Sequence, residues 1–241
     1  MSKMAPSTYS MNMSIEALAQ PVHRRERPCR IAGIALAAAW LLSAAACVAG
    51  DGDGAADAGA APDTFVVSFE TTAGEFAVEF VRDWSPIAVD RVHELAQIGF
   101  WRGARIYRVN DRYAQFGYSG QPALDSTWVL DALADEPARA SNVRGSVSFA
   151  RAGPATRSAI LFVNRSDNTD LDDMSWNGVV GFPPVGRVVR GMDAIDALHD
   201  GYGDAPMEWE DSIASLGNTF LDRSYPELDS ITGVRVTDGG P

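Results

Sequence analysis

Between Phe65 and Phe80 the chain alternates. Phe65, Val67 and Phe69 are spaced by Val66 and Ser68, and after Thr71-Thr72-Ala73-Gly74 the pattern resumes with Phe76, Val78 and Phe80. A period of two puts one set of side chains on one side, so the stretch predicts a hairpin with a single buried face. Such a hairpin is not stable alone and needs further strands or a helix to cover it. The remainder supplies short apolar runs of strand length at 106–109, 113–116, 147–150, 159–164, 185–189 and 231–236. Two stretches read as helices. The first follows Ser85-Pro86, an N-cap with proline at the first helical position, carries Val92, Leu95 and Ala96 at helical spacing, and stops at Gly99. The second spans residues 192–198, and a shorter one is expected at 218–223. Residues 121–141 and the acidic stretch 165–181 read as irregular connections. Short strands with few helices predict a mainly β protein, an antiparallel barrel of about eight strands with two capping helices. Pairing of the first and last strands is expected to close it, which would leave no open sheet edge.

Upstream of this domain the character changes. After His23-Arg24-Arg25-Glu26-Arg27 an apolar run of 16 residues extends from Ile31 to Ala46, short of the ~20 that a spanning helix needs. A basic segment, an apolar run and small residues before Cys47 mark an export signal. The pattern is similar to a bacterial lipoprotein signal, which implies cleavage before Cys47 and lipidation of its thiol. Only Cys29 and Cys47 exist in the chain, so a mature protein starting at Cys47 would have no internal disulfide. Residues 48–64, rich in Gly, Ala and Asp, read as a flexible acidic tether. The expected organisation is a signal-bearing extension over 1–46, a tether over 47–64 and a folded domain over 65–238, exported and lipid-anchored to the cell envelope. Five of the 20 basic residues and two of the 32 acidic ones lie in residues 1–47, which leaves a net charge of −15 on the rest. That balance excludes nucleic acid as the partner, which requires a basic footprint. The GDGDG run and the SDNTDLDD run lack the spacing of a calcium loop, and no metal is expected. His93 and His199 belong to no nucleophile motif, so a hydrolase has no support.

The stretch RIYRVNDRYAQFGYSG, residues 105–120, carries the functional signal. It predicts a strand bearing Arg108, a turn at Asn110-Asp111-Arg112, and a returning strand with Tyr113, Ala114 and Gln115. A guanidinium beside an aromatic, apolar patch suits binding of a proline-containing peptide.

Taken in order, four segments resemble a cyclophilin-type peptidyl-prolyl cis-trans isomerase. They are TTAGEFAVEFVRDWSPIAVDRVHELAQIGFWRGARIYRV, YAQFGYSG, NVRGSVSFARAGPATRSAILFVN and VGRVVRGMDAIDALHDGYG, together spanning the globular part of the chain. The resemblance implies the cyclophilin-like barrel, no cofactor, and isomerisation of X–Pro bonds in exported proteins as they fold, by a monomer. It makes Arg108 the catalytic cation. Tyr113, Ala114, Gln115, Phe162, Leu171 and Phe182 would line the proline site, with Ala150 and Arg151 along the cleft for the residue before proline. On sequence alone, Phe162, Leu171 and Phe182 read as ordinary barrel core, and only the family resemblance makes them lining of the proline site. Three departures from the family pattern stand out. Ile160 replaces a Gln, Asp170 replaces an aromatic, and the usual Pro-Gly turn is Asp111-Arg112 in a segment one residue short. These departures support an alternative, a weakly active module that binds Pro-containing partners. Strand period favours a shared face for Tyr113 and Gln115, with the deletion in the turn.

The chemistry is undemanding in one respect. Rotation about a peptide bond meets a barrier of ~18–20 kcal/mol from resonance, and X–Pro bonds populate both isomers but exchange in tens to hundreds of seconds. No bond must break. A site need only bind the twisted amide better than either planar form. An apolar recess for the prolyl ring and a fixed cationic donor suffice, and Arg stays charged with a rigid fork of donors.

Overall fold

The computed structural model describes residues 60–238. The signal-like segment, Cys29, Cys47 and the tether as far as residue 59 lie outside the described residues. The end of the expected tether is already packed, because Ala61 is buried and its N–H donates to Asp90 Oδ1 at 2.9 Å.

The predicted hairpin is present as β1 (Thr64–Thr71) and β2 (Gly74–Val81). Its register sets Phe65 opposite Phe80, Val67 opposite Val78 and Phe69 opposite Phe76. The two aromatic pairs stack at 5.4 and 5.0 Å, and all six side chains are buried. Helix α1 (Pro86–Gln97) covers this face with Ala88, Val89, Val92, Leu95 and Ala96. Ser85 does not cap it. Glu136, from the connection 121–141, accepts hydrogen bonds from the N–H groups of Ile87 and Ala88 and from Ser85 Oγ, and is itself held by the fully buried Arg157. A remote carboxylate thus satisfies the helix N-terminus, where unpaired donors favour negative charge.

The remaining strands are β3 (Arg108–Val109), β4 (Tyr113–Phe116), β5 (Ser146–Phe149), β6 (Leu161–Asn164), β9 (Pro184–Arg190) and β10 (Ile231–Asp238), with a separate small hairpin of β7 (Ser175–Trp176) and β8 (Val179–Val180). Eight strands form one antiparallel sheet in the order β10-β1-β2-β9-β5-β6-β4-β3. The first and last strands pair from Phe65–Asp238 to Thr71–Ile231, as expected. That pairing does not close the barrel, because it leaves β10 and β3 as the two edges of a curled sheet. The start of β10 meets the chain leading into β3, through the bridge Arg105–Ser230 and backbone bonds between 103–106 and 229–231.

The connections hold more structure than their composition suggests. Residues 121–141 contain α2 (Pro122–Trp128), and the acidic stretch contains α3 (Asp170–Asp173) together with the β7–β8 hairpin. Helix α4 (Met192–Asp196) is shorter than expected, and α5 (Glu210–Leu216) and α6 (Asn218–Ser224) follow it. Among the described residues no helix is long and apolar enough to cross a membrane.

Candidate active site

The site forms on the short strands β3, β4, β6 and β5. Successive pairings align Arg108 with Gln115, Gln115 with Phe162, and Phe162 with Ser148. Residues in register across a sheet project from one face, so the cation, the amide and the aromatic ring share a row. Their neighbours point the other way. Ala114, Phe116, Leu161 and Val163 belong to the main apolar core, whereas Phe162, Leu171 and Phe182 do not. The core alternative for these three residues is therefore set aside, although Phe162 and Leu171 are buried.

Two predicted aromatic residues flank the Phe162 ring. Tyr113 approaches it at 5.6 Å between centroids and Phe182 at 6.1 Å, and Phe182 N–H donates to the Leu171 carbonyl at 3.0 Å. Gly181 delivers Phe182 to this place. It has φ +70°, and a Cβ there would lie 2.4 Å from the Asp172 carbonyl oxygen, so only glycine fits. Ala114 points into the core and contributes backbone alone. Ala150 extends β5 with an N–H bond to the Ile160 carbonyl at 2.9 Å.

The Arg108 guanidinium is tightly held. Its Nε donates to Asp204 Oδ1 at 2.5 Å, its Nη1 to Gln115 Oε1 at 3.3 Å and its Nη2 to the Tyr113 hydroxyl at 3.0 Å. It also lies 4.6 Å from the Tyr113 ring centroid, a favourable place for a cation. Tyr113 and Gln115 share a face toward Arg108, as strand period requires. Gln115 is oriented from behind, since its Nε2 donates to the Tyr107 hydroxyl at 3.1 Å. Tyr107 is fully buried, and burial raises its pKa well above the tyrosine range, so it remains a neutral partner. Arg151 is the second cation of the cleft. Its guanidinium lies 5.1 Å from the Phe182 ring, with Asp135 Oδ1 at 3.5 Å, and desolvation lowers its pKa.

Two departures from the family pattern meet in space. Arg112 Nη2 donates to both carboxylate oxygens of Asp170 at 2.7 and 2.8 Å, so the cation of the shortened turn clasps the acid that replaced an aromatic. The Asp170 hydrogen bond raises the Arg112 pKa.

Sequence reasoning missed what supports the aromatic wall. Asn142, Asn164, Ser148 and Asn168 are buried and mutually bonded. Asn142 Oδ1 accepts from Ser148 Oγ at 2.9 Å and Asn164 Nδ2 at 3.2 Å, and Asn164 Oδ1 accepts from Asn168 Nδ2 at 2.7 Å. Asn142 Nδ2 reaches Asp172 Oδ1 at 2.8 Å and the Phe182 carbonyl at 2.9 Å. Burial raises the Asp172 pKa, but hydrogen bonds from Ser141 and Asn142 outweigh it and hold the carboxyl below its usual value. Within the acidic stretch, Asn168 and Asp172 are thus tied into the structure. A buried network with its members satisfied rigidifies what it touches. No local signal marked it, because asparagines and serines spaced over 27 residues, from Asn142 to Asn168, have no periodicity.

Among the described residues no group of three or more His, Cys, Asp or Glu side chains could hold a metal. A separate recess of about 360 Å³ lies against α1, between Ile87, Arg91, Glu94 and Leu133, and shares no residue with the site.

Residues 66–218 match the family described as cyclophilin type peptidyl-prolyl cis-trans isomerase/CLD. The chain belongs to this family. Its activity is peptidyl-prolyl cis-trans isomerisation. Solved structures share the fold. A cyclophilin-type isomerase of Cryptosporidium parvum aligns at TM-score 0.53 and 16% identity, over 73% of this chain and 99% of that one. The same isomerase in the presence of the dipeptide Ala-Pro aligns at TM-score 0.50 and 17% identity, over 72% and 99%. A cyclophilin of Hirschia baltica aligns at TM-score 0.52 and 15% identity, over 76% and 77%.

Proposed function

We propose that Arg108 is the catalytic cation of this cyclophilin and that the prolyl ring of the substrate sits against Phe162, between Tyr113, Phe182 and Leu171. One observation carries this reading: Arg108, Gln115 and Phe162 occupy a single cross-strand row on the face opposite the core. A proline ring on Phe162 brings its amide toward the guanidinium, two strands away. As the amide twists, conjugation is lost and the prolyl nitrogen gains a localised lone pair. A donor already fixed in place stabilises that state without reorganising. Gln115 orients the cation and offers its amide to the peptide backbone. Ala150 supplies a strand edge, and Arg151 flanks the residue before proline. No acid–base step, metal or cofactor enters. The occurrence of Ala-Pro with the Cryptosporidium parvum relative agrees with a ligand of this class.

The substrates we assign are exported proteins in the course of folding, met at the cell envelope. This rests on the sequence: the basic segment, the apolar run to Ala46 and the single Cys47 after it. The protein acts as a monomer held by a lipid on Cys47 and reaches clients over the acidic tether. The reading is tested in two ways. The protein should accelerate exchange of an Ala-Pro tetrapeptide, followed by NMR exchange spectroscopy, and Phe162→Ala should raise KM sharply; exchange at the spontaneous rate contradicts it. In a bacterial host, the protein should label with palmitate and fractionate with membranes, and Cys47→Ala should abolish both. Membrane association that survives Cys47→Ala rules out the lipid anchor.

A further inference from the structure

A guanidinium has five N–H donors, and three of those on Arg108 are engaged. Two of the partners, Gln115 and Tyr113, stand on the neighbouring strand β4. The third, Asp204, arrives from 96 residues further along the chain. It begins a 3-10 turn, Ala205–Trp209, that packs behind the site. Asp204 and Met207, spaced by three as side chains that align along a 3-10 turn are, both meet the row, and Glu210, at the start of α5, meets Tyr118 beyond it. Asp204 meets Arg108, Met207 Sδ lies 4.0 Å from Gln115 Nε2, and Glu210 Oε1 accepts from the Tyr118 hydroxyl at 3.3 Å.

The Asp204 carboxylate does two things at once. Its Oδ1 also accepts from Asn110 Nδ2 at 2.9 Å, and Asn110 Oδ1 in turn accepts the N–H groups of Arg112 at 2.9 Å and Tyr113 at 3.0 Å. One oxygen therefore ties the cation to the shortened turn that launches β4. Stability is a poor explanation for the contact. The Asp204 side chain is 61% exposed and that of Arg108 23%, and ion pairs so open to water contribute little. Orientation is a better one. The guanidinium already stacks over the Tyr113 ring at 4.6 Å, and without a partner on Nε it is free to turn in its own plane above that ring.

We infer that Asp204 is a positioning residue for catalysis: it fixes the plane of the Arg108 guanidinium so that the two donors left, one on each Nη, face the prolyl amide. The inference rests on Arg108 being the catalytic cation. It is tested on the full chain with an Ala-Pro tetrapeptide. Asp204→Ala should lower kcat about tenfold, since small misplacements of a reacting group are costly, while KM and the melting temperature stay near the wild-type values. Asp204→Asn keeps an oxygen that can accept from Nε and should recover most of the loss. The Arg108 Nε–H resonance in ¹H–¹⁵N spectra should be protected from exchange in the wild type and Asp204→Asn and lose that protection in Asp204→Ala. An unchanged kcat in Asp204→Ala overturns the inference, as does a loss that comes with a lower melting temperature and no recovery in Asp204→Asn. Wild-type activity in Arg108→Ala would instead contradict the assignment of Arg108, and the Nε–H signal then reports on the contact independently.

Discussion

Strands β10, β1, β2 and β9 run for seven or eight residues each, whereas β5, β6 and β4 run for four and β3 for two. The long half is held by its ladders and by stacked apolar pairs such as Phe65–Phe80. The short half has too few ladder bonds to fix its own geometry. Side-chain hydrogen bonds do that instead: the buried Asn142, Asn164 and Asn168 beneath the aromatic wall, and the exposed Asp204 on the cation. The proposed chemistry sits on the outer face of the short half, where single hydrogen bonds set positions. Apolar area holds the long half and the inner face of the short one, where Ala114, Phe116, Leu161 and Val163 join the core.

Substitutions can separate the halves. The largest effect on folding should come from Phe80→Ala, which removes a fully buried ring from the long half and should cost about 3–5 kcal/mol. Denaturant titration measures this, and at temperatures where the variant remains folded its kcat/KM should match the wild type. An activity loss in the folded fraction would break the division. Next, Asn142→Ala leaves Asn164 and Asp172 short of a buried partner and should cost about 1–3 kcal/mol. Unlike Phe80→Ala, it should also raise KM, because the Phe182 carbonyl and Asp172 lose their tie. Equal KM in the two variants would show that the network does not hold the recess.

The Asp172 contribution has a sign in pH. Its carboxyl pKa is lowered in the fold, so its stabilisation is present above the unfolded value of 3.8 and is lost as pH falls through the lower folded value. Asp172→Asn should therefore be less stable than wild type at pH 7, and the two melting curves should converge in acid. A gap that widened on acidification would contradict the assignment. The smallest effect concerns Ile160, where the family pattern has Gln. Restoring a donor by Ile160→Gln is worth about 0.5–1.5 kcal/mol and should raise kcat/KM about twofold to tenfold by the same bond energy, with some loss of stability because Ile160 packs against the Tyr107–Tyr118 cluster. No gain would show that the cleft works without it.

The same division explains what could be read from the sequence. The β1–β2 hairpin was legible because its buried face is one-sided and uninterrupted, and α1 because Val92, Leu95 and Ala96 repeat at helical spacing. Arg108, Gln115 and Phe162 were legible as candidates through family resemblance, but their shared row exists only once β4 pairs with β3 and β6. Helix α2 was missed because no apolar stripe announces it. Asp125, near its middle, instead bonds back to the N–H of Ser119 at 2.7 Å. Asp204 carried no signal of its own in the sequence, since nothing local ties it to Arg108. The pairing of Arg112 with Asp170 was likewise invisible, although each had been noted as a departure. Closure failed as an expectation because the first and last strands of the sequence are neighbours rather than the two edges.

The central claim is that a fixed cation in the short half accelerates rotation about an X–Pro bond while adding little to the fold. Arg108→Ala tests it most directly, with kcat/KM for an Ala-Pro tetrapeptide and the melting temperature measured on the same sample. Removing a preorganised donor of this kind costs about a hundredfold to a thousandfold in rate, so activity should fall by that factor with melting shifted by no more than about 2 °C, as for a partly exposed ion pair. Activity within a few fold of the wild type would contradict the account.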